Sequence, residues 1–133
     1  MTPHHFEIRV YYEDTDLAGI VYYANYLKFI ERARTEYVRA MGIDQVHLKA
    51  EQGMVFAVRR VEANYLSPAR FDDVLCVETE PLRVTAARMV LRQDVWRGED
   101  RLFASEVTLV ALTATGTPAR LPAELRDRMT APG

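Results

Sequence analysis

Residues 14–34, DTDLAGIVYYANYLKFIERAR, change character half-way along and thereby decide the fold. The first half is an acidic loop with a glycine, whereas the second half has apolar residues at the three- and four-residue spacings of an amphipathic helix. We predict a helix over residues 23–41 that ends at Gly42. No Ser, Thr, Asp or Asn stands next to Tyr23 to cap this helix, so its first turn should keep unpaired N–H groups.

Shorter segments on both sides of the helix have the apolar patterns of strands. Residues 6–12 form the first strand, and residues 44–52 add a short helical turn capped by Asp44. Four further strands follow at residues 54–66, 74–80, 86–96 and 102–113, with Pro81 between the second and third of them. Consecutive strands with short connections favour an antiparallel sheet, which predicts an α+β fold with one long helix. We expect residues 120–133 to be a surface strap.

Composition bounds the class of protein. The chain has 133 residues, of which 49% are hydrophobic and 27% charged, and these values predict a single globular domain over residues 1–133. A formal net charge of −2 argues against nucleic acid as a partner. We find no secretory signal and no apolar run of roughly 20 residues, and therefore expect no membrane insertion. A lone Cys76 cannot form an internal disulfide, so we expect it to be buried and the protein to be cytoplasmic.

The loop before the helix carries the candidate chemistry. Asp16 lies a few residues before the first helical turn, and Gly19 allows a close backbone approach there. The N–H groups of Val21, Tyr22 and Tyr23, at the positive end of the helix, suit a carbonyl oxygen that gains negative charge. A carboxylate beside that carbonyl can act as nucleophile or as general base for water. The pattern therefore predicts acyl hydrolysis.

Two other interpretations of the same loop stay open. Asp16 could cap the helix itself, or residues 14–16 could form a solvated turn. Glu13, Asp14 and Asp16 could instead bind a hard cation, but no further ligand-rich segment follows them. We expect no metal and no cofactor.

Two motifs identify a family. The run VYYEDTDLAGIVYYANYLKFIERARTEYVRAMG at residues 10–42 resembles the 4-hydroxybenzoyl-CoA thioesterase family of hotdog-fold proteins, especially the acyl-CoA thioesterases associated with the bacterial Tol-Pal system. The run NYLSPARFDD at residues 64–73 is similar to the same branch. This resemblance covers nearly the whole chain and implies a hotdog fold, in which an antiparallel sheet of five strands wraps around one long helix.

The resemblance also implies roles for single residues. Asp16 corresponds to the catalytic carboxylate of the family, Asp14 to the accompanying acid and Gly19 to the loop glycine. Tyr23 stands where a backbone N–H polarises the thioester carbonyl. The Tol-Pal branch often has His at this position and the hydroxybenzoyl branch has Tyr, but a backbone donor does not depend on its side chain.

Coenzyme A, the implied carrier of the acyl group, needs cationic side chains for its phosphates. The candidates are Arg59, Arg60, Arg70, Arg83, Arg88 and Arg120, of which we predict Arg60, Arg70, Arg88 and Arg120 as substrate contacts. Because neighbours in a strand face opposite sides, at most one of Arg59 and Arg60 should serve a given site. Glu31, on the helix, is a further candidate contact, although an exposed pairing with Arg34 or Lys28 would also explain it.

The expected function is hydrolysis of the thioester of a small or medium acyl-CoA to the free acid and coenzyme A. A sheet with one covering helix leaves surface for a second copy, and the family implies a homodimer, often paired again into a dimer of dimers. Two alternatives remain: an acyl-CoA-binding or scaffold protein, and an enoyl-CoA hydratase, which would need a His acting together with the Asp.

Overall fold

A computed structural model describes residues 3–130 and contains the predicted antiparallel sheet and long helix. The elements in chain order are β1 (His4–Arg9), α1 (Asn25–Ala40), α2 (Gln45–Gln52), β2 (Val55–Tyr65), β3 (Val74–Val84), β4 (Arg88–Arg97), β5 (Asp100–Leu112), β6 (Pro118–Ala119) and α3 (Ala123–Thr130). The five long strands are ordered β1-β3-β4-β5-β2, and the two-residue β6 pairs with β5. All the strand pairs are antiparallel, which confirms the predicted α+β fold.

Helix α1 packs on one face of the sheet through the apolar stripe that its sequence shows. The buried side chains of this stripe are Tyr26, Phe29, Ile30, Ala33, Tyr37 and Val38. Gln93 of β4 also fastens the helix to the sheet, because its Nε2 donates to the carbonyl of Ile30 at 2.9 Å. Gly42 has the left-handed φ of 81° that ends a helix readily, as predicted.

Several element boundaries differ from the prediction, each for a local reason. Strand β1 ends at Arg9, because Tyr12–Asp14 form a 3₁₀ turn. Strand β3 runs through Pro81 to Val84, whereas we expected Pro81 to end it. A register shift between Pro81 and Arg83 removes the need for a ladder hydrogen bond there, and a proline is tolerated at such an irregularity. The predicted cap of α2 is confirmed: the Asp44 carboxylate accepts the N–H of Val46 at 3.0 Å.

The surface strap expected over residues 120–133 is wrong for the part that the structure describes. Residues Ala123–Thr130 form helix α3, and its side chains Leu125 and Met129 are buried in the core. Leu121, just before the helix, is buried as well. Residues 131–133 lie outside the described part. The tail therefore contributes to the hydrophobic core.

The face of the sheet opposite α1 is polar and half-exposed. Cys76 lies on this face next to Trp96 and is only partly buried, so the prediction of a buried thiol is wrong. Burial and the nearby Glu78 carboxylate raise the pKa of this thiol, which opposes thiolate formation. In the described residues, no helix is long and apolar enough to cross a membrane.

Candidate active site

The segment before α1 folds back on itself as a short loop. Thr15 and Val21 form an antiparallel bridge, and the N–H of Asp16 donates to the carbonyl of Ile20 at 3.0 Å. Gly19, at the turn, has a φ of 79°, and its N–H donates to the Asp16 carbonyl at 2.9 Å. Since side chains other than glycine are strained at this φ, the loop depends on Gly19.

The Asp16 carboxylate is exposed on this loop. Its Oδ1 accepts the N–H of Ala18 at 3.0 Å, which is its one hydrogen bond within residues 3–130. It does not reach the first turn of α1, whose N-cap residue Ala24 has no side-chain hydrogen bond. The interpretation of Asp16 as the helix cap is therefore wrong. Its second oxygen is open to solvent or to a substrate.

Two of the three expected donor N–H groups are occupied by the protein. The Val21 N–H donates to the carbonyl of Ala69 at 2.8 Å, and the Tyr22 N–H donates to the carbonyl of Asp14 at 2.9 Å. Our prediction considered only capping side chains, and these acceptors are backbone carbonyls. Val21 and Tyr22 therefore cannot give N–H groups to a substrate in this conformation, and only their side chains remain available.

The third expected donor, the N–H of Tyr23, donates no hydrogen bond in the part of the chain that the structure describes, and neither does that of Ala24. The side chains around this point are accessible: Tyr22 is 45% exposed and Tyr23 61%. The Tyr65 hydroxyl donates to the Tyr23 carbonyl at 3.0 Å. A free peptide donor at the start of a long helix and a free carboxylate oxygen thus lie on one solvent-accessible loop.

A second loop, between β2 and β3, supports the first. Besides accepting from Val21, Ala69 gives its own N–H to the Tyr26 hydroxyl at 3.1 Å. The Asp73 carboxylate holds this second loop, because it accepts the Arg70 N–H at 2.8 Å and Arg97 Nη1 at 2.9 Å. Burial disfavours the charged form of Asp73, yet these two hydrogen bonds together hold its pKa below the ordinary value.

The sequence patterns indicated no role for Tyr65, Asn25 or Asp73. Tyr65 and Asp73 lie within the NYLSPARFDD motif, which indicated the family but not the residues that these two side chains contact. Asn25 Nδ2 donates to the Asp14 carbonyl at 2.9 Å and so links the first helical residue to the loop.

Glu31 lies away from this loop, on the side of α1 that faces β2. It lines a cavity of about 200 Å³ with Arg34, Phe56, Val58, Met89 and Leu91, among other residues. Among the described residues Arg34 forms no ion pair; its Nη1 donates to Gln93 Oε1 at 2.9 Å, and burial lowers the pKa of its guanidinium. The expected Glu31–Arg34 pairing is therefore absent as a direct contact.

The predicted arginines separate into two groups. Arg60 and Arg88 line one groove of about 530 Å³ together with Arg59 and Arg83. Our prediction that Arg59 and Arg60 face opposite sides is wrong, because a register shift at Arg59 interrupts the alternation of β2.

The remaining two predicted arginines do not line this groove. Arg70 lies beside the loop before α1, paired with Ile20 through a backbone bridge. Arg120 is exposed, and its neighbour Leu121 bonds to the carbonyl of Ala86 near the groove. Over residues 3–130 no group of three or more His, Cys, Asp or Glu side chains is placed to hold a metal ion.

Comparisons with known proteins bear on this arrangement. A family model described as Thioesterase superfamily matches residues 18–104, which include the loop glycine, Tyr23 and the whole of α1. The chain belongs to the thioesterase superfamily. The acyl-CoA thioesterase YbgC of Haemophilus influenzae is 42% identical over 124 residues, which are 91% of this chain and 90% of that protein.

Solved structures of the superfamily agree with the fold. A probable thioesterase from Bartonella henselae matches with a TM-score of 0.87 and 37% identity, over 90% of this chain and 99% of that one. A variant 4-hydroxybenzoyl-CoA thioesterase, solved with 4-hydroxybenzoyl-CoA, matches with a TM-score of 0.90 and 23% identity, over 98% and 100% of the two chains. The second match shows the fold alone. The family model, the YbgC relative and the Bartonella structure confirm the predicted family and the class of thioester hydrolase.

Proposed function

We propose that the chain hydrolyses acyl-CoA thioesters, with Asp16 as the catalytic carboxylate and the Tyr23 N–H as the donor to the thioester oxygen. The observation that carries the proposal is the unpaired Tyr23 N–H on the same loop as an uncommitted Asp16 oxygen. Acyl-CoA hydrolysis is the activity in the name of the YbgC relative. One oxyanion donor is worth about 2.7–4 kcal/mol in other enzymes.

Two versions of the reaction fit this site. As a general base, Asp16 takes a proton from water while the water oxygen bonds to the carbonyl carbon; the C–S bond then breaks and the thiolate of coenzyme A leaves. As a nucleophile, a carboxylate oxygen of Asp16 bonds to the carbonyl carbon, the C–S bond breaks and the thiolate of coenzyme A leaves; water then hydrolyses the resulting mixed anhydride to the free acid and the Asp16 carboxylate. A thiolate leaves readily, so neither version needs a strong separate acid.

The experiment that tests this function measures thiol release from a panel of short, aromatic and long acyl-CoA thioesters. We expect turnover of the short or medium members to the free acid and coenzyme A. Tight binding without thiol release would favour the scaffold alternative, and addition of water to an enoyl-CoA with the thioester intact would favour the hydratase. Either of these results would replace the proposal.

The four-arginine groove is the proposed site for the coenzyme A phosphates. Of Arg59, Arg60, Arg83 and Arg88, only Arg60 has a carboxylate within ion-pair distance in the described residues, namely Glu62 at 2.5 Å. The other three charges lack a fixed counterion, which is the arrangement that attracts phosphate. Arg60 lies five residues before Tyr65 on β2, about 16 Å away at the rise of a strand.

Replacing Arg88 with Ala should raise the KM for an acyl-CoA by about fivefold, the effect of one exposed ion pair of about 1 kcal/mol. The KM for the same acyl group on N-acetylcysteamine, which has no phosphates, should not change. Lys49→Ala, which removes an exposed charge on α2, is the matched control. Equal KM changes for both substrates in the Arg88 variant would show that the groove does not bind the nucleotide part.

We propose a homodimer joined along β2, which can pair again into a dimer of dimers. This strand of 11 residues lies at the edge of the sheet and shows Val58, Val61 and Tyr65 as exposed side chains. Long unpaired edges of this kind pair with another strand. Sedimentation at the mass of a single chain, 15.3 kDa, would contradict the dimer.

The cavity beside Glu31 is the proposed acyl site. Two copies of β2 related by a two-fold axis run antiparallel, so the Phe56 end of one strand lies near the Tyr65 end of the other. The cavity of one protomer would then face the catalytic loop of its partner, that is, the loop that carries Asp16 and Tyr23. Its volume of about 200 Å³ is below the range of roughly 300–1,000 Å³ for drug-sized ligands, which supports a small or medium acyl group.

The proposal includes a cytoplasmic location and a place in the Tol-Pal-associated branch. An unpaired Cys76 fits a reducing compartment, where thiols stay reduced. Recovery of the protein in a periplasmic or extracellular fraction of its native cells would contradict the location.

A further inference from the structure

Tyr23, the proposed oxyanion donor, lies between two peptide groups that are both held in place. The carbonyl of Tyr22 accepts the Asn25 N–H at 2.8 Å, and the carbonyl of Tyr23 accepts the Tyr65 hydroxyl at 3.0 Å. A trans peptide is planar, with its C=O and N–H pointing in opposite directions. Holding the Tyr22 carbonyl therefore aims the Tyr23 N–H, and holding the Tyr23 carbonyl aims the Ala24 N–H.

The two peptide groups are held by different means. The first is fixed by the chain itself, since Tyr22 and Asn25 belong to one turn. The second depends on the Tyr65 side chain, 42 residues later in the sequence, at the end of β2. Tyr65 is the one side chain among the described residues that bonds to the Tyr23 carbonyl.

The Tyr65 ring is itself fixed by aromatic neighbours. It packs edge-on against Tyr26 with ring centroids 5.5 Å apart, and against Phe103 at 5.1 Å. Phe103 is also its partner in the β2–β5 pairing, and it is fully buried. The hydroxyl therefore projects from a ring that the sheet and α1 hold on two sides, which is the support that a positioning group requires.

We propose that Tyr65 is a positioning residue for the thioesterase reaction: its hydroxyl holds the Tyr23–Ala24 peptide so that the Ala24 N–H is aimed at the thioester oxygen beside the Tyr23 N–H. Ala24 is the N-cap residue of α1 and has helical φ and ψ of −69° and −21°, so its N–H points N-terminally along the helix axis. The inference rests on the proposed function, because it needs Tyr23 to be the donor. It adds a residue on β2, outside the catalytic loop, to the reaction.

The Tyr65 hydroxyl acts through the peptide and does not touch the substrate. This arrangement determines how kcat and KM should change when the hydroxyl is removed. An N–H bonds more strongly to an oxyanion than to a neutral carbonyl oxygen. A misdirected N–H therefore raises the free energy of the transition state more than that of the bound substrate. Loss of one hydrogen bond of ordinary net strength should lower kcat by about three- to tenfold. The KM should stay within about twofold of the original value.

The experiment compares Tyr65→Phe with Tyr12→Phe, measuring kcat, KM and the thermal midpoint of each. Both substitutions remove one hydroxyl and keep the ring. Tyr12 is 82% exposed and its hydroxyl makes no hydrogen bond within residues 3–130, so Tyr12→Phe should leave all three quantities unchanged. We expect Tyr65→Phe to lose kcat with little change in KM, when assayed at a temperature at which the variant is fully folded.

Three results would overturn the inference: an unchanged kcat in Tyr65→Phe, a rise in KM that accounts for the whole loss of kcat/KM, or the same loss of kcat in Tyr12→Phe. Failure of the proposed function looks different. In that case the unmodified protein releases no thiol, or its turnover persists after removal of the Asp16 charge. Normal turnover in Tyr65→Phe, in a protein whose activity requires Asp16, overturns only the role of Tyr65.

Discussion

Asp16→Asn should lower kcat for thioester hydrolysis by about three orders of magnitude and leave the fold intact. General acid–base catalysis typically contributes about 10²–10⁴-fold, and an amide can neither take a proton from water at neutral pH nor act as a nucleophile of comparable strength. The amide oxygen of Asn can still accept the Ala18 N–H, which is the one bond that the Asp16 side chain makes within residues 3–130. The loop conformation should therefore survive, and the loss should be chemical.

The matched control is Glu13→Gln, which also neutralises an exposed carboxylate of the same segment. The Glu13 side chain takes part in none of the ion pairs or hydrogen bonds of the described residues, so we expect unchanged kcat and KM. Near-normal hydrolysis by Asp16→Asn would remove Asp16 from the mechanism. An equal loss in both variants would mean that the charge of the loop matters and the identity of Asp16 does not. Thiol release under saturating substrate, with circular dichroism to verify folding, distinguishes these results.

The same loop shows what sequence could and could not predict. The helical spacing over residues 23–41 led to α1, which begins two residues later, at Asn25, because such spacing follows from local backbone preferences. The prediction of a free Tyr22 N–H failed because the loop folds back on Asp14, and that of a free Val21 N–H failed for a non-local reason. The acceptor for Val21 is the carbonyl of Ala69, on a loop between two later strands, and no spacing in the sequence reveals that contact.

The strands also have features that the sequence predicts and features that it does not. The five long strands were predictable from alternation and composition, whereas interruptions of that alternation were not. The register shifts after Val58 and after Pro81 depend on how each strand meets its neighbour. One of them brings Arg59 into the same groove as Arg60, which strict alternation excluded.

The family resemblance predicted more of the candidate site than spacing alone did. It placed the acidic loop and Tyr23 together, and the structure leaves the Tyr23 N–H available. It did not predict how the next peptide, Tyr23–Ala24, is held, because the Tyr65 hydroxyl reaches its carbonyl from β2. Residues that act on a backbone from a distant strand have no local signature, and coordinates are needed to find them.

The C-terminal segment was mistaken for a strap because α3 is short and mostly polar. Eight residues with only two buried side chains give a weak periodic signal, and a short helix of this kind is stabilised by packing more than by its own propensity. Leu125 is fully buried in the core that α1 and the sheet share, so the segment is held by that contact. Replacing Leu125 should therefore lower the stability of the protein, whereas replacing a residue of a surface strap should not.

Leu125→Ala should lower the free energy of unfolding by about 2–5 kcal/mol, the usual cost of removing a buried Leu side chain and leaving a cavity. Urea denaturation at one fixed protein concentration measures this change, since any dimer makes stability concentration-dependent. Asp127→Ala on the exposed side of α3 is the control and should change the value by less than about 0.5 kcal/mol. A surface strap would make the two variants equivalent, so an effect below about 1 kcal/mol at Leu125 would show that α3 does not pack as the structure describes.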